Sequence, residues 1–86
     1  MIRYWFEFKN YPKVPPGTRM GCGVTAFDYE DALAMLKEKV FNGGNLAHII
    51  CTKENIDIST LDANHVLPNI GLANKRGIWF PPGYDY

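Results

Sequence analysis

The chain has 86 residues, 47% of them hydrophobic, with nine basic and nine acidic side chains. That composition makes one domain, residues 1–86, with enough apolar content for a core, and it excludes disorder. A formal net charge of zero excludes a protein held on nucleic acid or a membrane mainly by bulk charge.

Ile2 to Lys9, IRYWFEFK, alternates with a period of two. Ile2, Tyr4, Phe6 and Phe8 share one face; Arg3, Trp5, Glu7 and Lys9 share the other. This is a half-buried strand with Trp5 as the exception on its polar side. Asn10 to Met20 holds Pro12, Pro15, Pro16 and Gly17 and reads as a long loop. Gly21 to Phe27 reads as a second strand. Cys22, Val24 and Ala26 face the core, and Gly21 and Gly23 lie opposite. Two glycines weaken a strand, but they leave room for a large aromatic from the neighbouring strand, and Trp5 is that aromatic.

Asp28 is placed to cap a helix, with Asp31 three residues on to return the bond. Ala32, Leu33, Leu36 and Val40 recur at helical spacing, Met35 and Phe41 widen the stripe, and Gly43-Gly44 stops it. Leu46 to Thr52 reads as a third strand, apolar on both faces, which suits a central position or a face covered by the tail. Ile56-Asp57-Ile58 alternates briefly. Ser59-Thr60-Leu61-Asp62 is suited to cap a single helical turn. Gly77 to Phe80 is a short fourth strand within a loop-rich tail.

The order β-β-α-β, with that tail, predicts an α+β fold: a two-layer sandwich of one helix on a small mixed sheet. A right-handed crossover makes the second and third strands parallel, and a hairpin puts the first strand between them.

The cysteines, Cys22 and Cys51, fall in apolar strand readings and form no disulfide framework, which suits a reduced, cytoplasmic setting. Met1-Ile2-Arg3 opens directly onto the alternating aromatics, without the pattern of a signal peptide, and no apolar run is long enough for a membrane span. Gly21-Cys22-Gly23-Val24-Thr25-Ala26 matches G-x-G-x-x-A formally, yet no apolar strand precedes its first glycine, so no nucleotide cofactor is expected. His48, His65, Cys22 and Cys51 lack metal-ligand spacing, so no metal is expected either.

Three functional readings remain. The first is a non-enzymatic protein-binding domain of accessory, inhibitor or immunity type. Its binding residues are Trp79, Arg76, Trp5, Arg19 and Tyr84, because Trp, Tyr and Arg are the residue types enriched at interface hot spots. In that reading Ile78 and Phe80 point inward, and Trp79 faces a partner beside Arg76. The competing arrangement lays Trp79 over the Gly21/Gly23 face beside Trp5, where it serves stability alone. The second reading is a nucleic-acid module that stacks bases on Trp5 and Trp79 beside Arg3 and Lys9. The third is a small enzyme built on His65 with Asp57 or Asp62, since a carboxylate can orient a histidine that activates water or a hydroxyl. Ser, Thr, Asp and Asn are also what turns require, so loop chemistry explains the 57–65 segment without any reaction. The pattern WFEF, GCGVTAFDYEDAL, STLDANHVLPN and RGIWFP, spread over most of the chain, resembles small bacterial single-domain proteins without an assigned activity. That resemblance implies no functional residue.

Overall fold

A computed structural model describes residues 1–9, 20–44, 48–61, 63–64, 66, 68, 70, 73–81 and 84. The alternating aromatic segment forms β1 (Ile2–Phe8), and the glycine-containing segment forms β2 (Cys22–Ala26). They pair antiparallel with Tyr4 opposite Val24 and Trp5 opposite Gly23.

Helix α1 (Tyr29–Met35) starts where its cap requires. The Asp31 amide donates to Asp28 Oδ1 at 2.8 Å. The return bond forms one residue earlier than a capping box has it: the Phe27 amide donates to Asp31 Oδ2 at 3.0 Å. From Leu36 to Val40 the helix widens into a π-type turn, and the Phe41 amide donates to Leu36 O at 3.0 Å. Asn42 and Gly43 then take positive φ angles of 52° and 79°, which end the helix.

Strand β3 (Ile49–Glu54) starts and ends later than the apolar run suggests; residues 45–47 lie outside the described set. It pairs antiparallel with β1, and β4 (Gly77–Phe80) pairs antiparallel with β2. The strand order is β3-β1-β2-β4. The first strand therefore lies between the second and third, as the crossover demands. β2 and β3 run in the same direction but are separated by β1, so the expected mixed sheet has antiparallel neighbours throughout. β3 is therefore an edge strand, which rules out the central position, one of the two readings of its apolar run. Its two-faced apolar character comes partly from Ile50, which falls at a register shift between Glu7 and Phe8 and is 61% exposed.

The helix covers one face of the sheet. Tyr4, Phe6 and Phe8 meet Leu36, Met35 and Val40 there, and the Phe8 and Phe41 rings contact edge to face at 5.5 Å. Burying large apolar side chains contributes roughly 1.5–3 kcal/mol each. The opposite face carries a second core of Trp5, Trp79 and Phe80 with Ile56, Val66 and Ala73. Among the described residues, Ile56, Val66 and Ala73 thus add a further layer on that face. Ile56–Ile58 is not a strand: Asp57 caps a 3₁₀ turn at Ile58–Thr60, accepting from the Ser59 amide at 3.0 Å. The cap falls two residues before Ser59, because a carboxylate two residues back reaches the turn's first free amide.

Candidate protein-binding surface

The tryptophans are packing residues. A Cβ on Gly21 would lie 2.7 Å from Trp5 Cζ2, and one on Gly23 would overlap the Trp79 ring. The expected contact between Trp5 and the glycine face is present at Gly21, and Trp79 fills the equivalent space at Gly23. The two indoles lie 6.0 Å apart, and Trp5 donates through Nε1 to Glu7 Oε2 at 3.1 Å. Among the described residues, the buried Trp79 Nε1 has no hydrogen-bond partner.

The outward-facing arrangement of Trp79 is therefore corrected: it is 2% exposed and Trp5 is 3% exposed. The reason is a register shift between Gly23 and Val24. It lets Ile78 enter the helix-side core while both Trp79 and Phe80 enter the tail-side core. Strict alternation, which would oppose Trp79 to both neighbours, fails at that bulge. With both ring faces covered, the base-stacking platform expected on Trp5 and Trp79 is absent.

Arg76 does not share a surface with Trp79. Its Nε donates to Asp31 Oδ2 at 2.9 Å, its Nη2 pairs with Asp31 Oδ1, and its guanidinium lies 5.1 Å from the centre of the Phe27 ring. The fork hydrogen bond from Arg76, followed by the Phe27 amide, holds the Asp31 carboxyl below the usual carboxylate range. Arg76 thus fastens the start of β4 to the start of α1. Tyr84 packs against the helix-side core, and burial pushes its phenol upward. Arg19, Asp62 and His65 lie outside the described residues. Asp57 accepts from both the amide and the hydroxyl of Ser59, bonds that hold its carboxyl below the usual range, and this is capping geometry. Burial pushes the Cys22 thiol up to about 12, so it is inert at neutral pH. Among the described residues, no group of three His, Cys, Asp or Glu side chains is placed to hold a metal ion, and no helix is long and apolar enough to cross a membrane.

The surface that sequence reasoning missed is the outer edge of β3. Both β1 and β2 are largely or wholly buried, and so is β4 at the other edge; β3 has no buried residue. Arg3 O accepts from Ile56, and the Lys9 amide donates to His48 O, so odd-numbered residues of β1 point their backbone groups toward β3. Their partners Lys53 and Cys51 are bonded inward, and the backbone groups of Thr52 and Glu54 point outward. No described strand pairs with that edge. Beside it, on the tail side of the sheet, opens a hollow of about 180 Å³ with Trp5, Leu61 and Val66 as apolar lining and Glu7 and Lys53 as polar lining. The signal available in the sequence was the position of β3 after the crossover, which leaves one of its edges without an assigned neighbour. No protein-family model matches the chain, and no curated protein and no solved structure matches it.

Proposed function

We propose that this domain binds an extended segment of a partner protein along the outer edge of β3. The carrying observation is the asymmetry between the sheet's two edges: β4 is buried throughout, while β3 has no buried residue and offers outward backbone groups at Thr52 and Glu54. An incoming strand draws its affinity from such main-chain bonds and its specificity from pockets for alternate side chains. The hollow beside Lys53 is suited to one apolar side chain of that segment, and Ile50 offers a second apolar contact. The bulge at Ile50 and the charge of Lys53 restrict pairing to a short segment and guard against indefinite sheet extension. The recognition is non-enzymatic and uses backbone and apolar contacts in place of the aromatic tail.

The test is selection of linear peptides from a random display library on the immobilised domain, followed by amide exchange. Bound peptides are expected to slow exchange at Thr52 and Glu54. Thr52→Pro removes an outward donor without removing an inward ladder bond, a position where an edge strand accepts proline. It should abolish binding, and Ile50→Lys should weaken it with the fold unchanged. Peptides that bind Thr52→Pro as well as the parent, or that protect other residues, would refute the proposal. So would protection of Thr52 and Glu54 that rises with protein concentration alone, because that signals self-pairing.

A further inference from the structure

At one end of the sheet, away from the helix-side core, a cleft of about 290 Å³ opens between Arg3, Thr25, Asn55 and Asn74, with Met1 and Ala73 completing its walls. Arg3 and Thr25 are cross-strand partners on β1 and β2. Each polar group in this cleft is held by a different constraint. The Arg3 Nε donates to Ile56 O at 3.3 Å, and the Arg3 carbonyl accepts from the Ile56 amide at 3.1 Å. Side chain and backbone are therefore clamped to the same residue, and among the described residues the Nη groups make no hydrogen bond. The buried Thr25 Oγ1 donates to Ala73 O at 2.6 Å, which fixes the turn that presents Asn74. Asn55 stands at φ 52°, the left-handed conformation that asparagine tolerates, and so turns the chain out of β3 at the cleft wall.

From this arrangement we infer that the cleft is a binding site for a small polar molecule bearing an oxyanion. A guanidinium held by its Nε presents its remaining N–H groups as a fork, the geometry that carboxylates and phosphates accept. The Asn55 and Asn74 amides each supply a donor and an acceptor beside it, suited to the hydroxyl or amide groups such a molecule carries. The volume lies at the lower end of the range for small-molecule sites, which favours a compact metabolite over a nucleotide. Asp57 is the nearby counter-charge, and its carboxylate is engaged by the Ser59 amide and hydroxyl. The site lies at the end of the central strands β1 and β2, off the outer edge of β3, and is independent of strand addition there.

Titration of the isotope-labelled protein with sodium phosphate and, separately, with sodium succinate, at ionic strength fixed with sodium chloride, tests the inference by NMR. Saturable shifts are expected at the Arg3 Nε–H and at the side-chain amides of Asn55 and Asn74. Saturation by phosphate alone assigns a phosphate-bearing ligand, and saturation by succinate alone assigns a carboxylate. Arg3→Lys keeps the charge and loses the fork, and should weaken binding about tenfold. Asn74→Ala alters only an exposed side chain and should weaken binding without moving the rest of the spectrum. Shifts that rise linearly without saturation, that centre on Lys37 and Lys39, or that are unchanged in Asn74→Ala would overturn the inference.

Discussion

Gly23→Ala is the most decisive test of the tail-side core. A Cβ at residue 23 would overlap three carbons of the Trp79 ring, where ordinary carbon contacts are ~3.5–4 Å. The ring must therefore retreat by about 1 Å, and it is buried against Trp5. Overpacking of this kind costs ~1–3 kcal/mol, and the depth of the overlap puts Gly23→Ala near the upper end. At 2–3 kcal/mol the melting temperature should fall by roughly 10–20 °C, and the urea midpoint by about 1–3 M. Urea unfolding followed by far-UV circular dichroism measures this directly. The double variant Gly23→Ala/Trp79→Phe should recover part of the loss, because the smaller ring makes room and removes an indole N–H that has no partner among the described residues. Gly21→Ala should be at least as damaging and resist such rescue. Its backbone φ is +120°, and its Cβ would stand 2.6 Å from the Phe6 carbonyl oxygen, which the sheet holds in place. A Gly23→Ala midpoint equal to the parent's would refute the packing of Trp79 on β2.

Two further outcomes follow from the helix side. Leu36 is fully buried where the helix widens, so Leu36→Ala should cost ~2–5 kcal/mol in the same unfolding assay. The lowered carboxyl of Asp31 binds fewer protons folded than unfolded in the window below the usual carboxylate value, so its contribution is present above that value and declines as pH falls through the folded one. Arg76→Gln removes the largest cause of that lowering and should flatten this acid limb in a pH series of thermal melts; an unchanged limb would remove Asp31 as its source.

Much of the architecture was legible because local chemistry and topology agree. Asp28 could be read as a cap because an acceptor was needed where the helical stripe begins. Gly21 could be matched to Trp5 because a large ring on the polar side of β1 needs a neighbour without a side chain, whereas Gly23 takes Trp79 instead. What escaped the sequence depended on register. Trp79 points with Phe80 because of one bulge opposite Gly23 and Val24, and no period-two rule anticipates a bulge. Ile50 made β3 look buried on both sides for the same reason. The candidate surface was less legible still: backbone groups at a sheet edge have no residue-type signature. Arg76 and Trp79, three residues apart and both attractive hot-spot types, serve opposite faces of the sheet.

The strand order has a consequence for how the molecule reaches its native state. The partners of the N-terminal strands are remote in sequence: hydrogen bonds from Thr25 to Ala73 and from Arg3 to Ile56 close loops of 48 and 53 residues. Closing such loops costs chain entropy before the tail-side core can offset it. Folding governed by pairings of this separation runs on millisecond-to-second rather than microsecond timescales. Until β4 arrives, Trp5 and the glycine face of β2 stand open to water. The same ring-on-glycine surface that seals the native sheet is then, for the nascent chain, its stickiest surface, and the interval before β4 docks is when aggregation competes with folding.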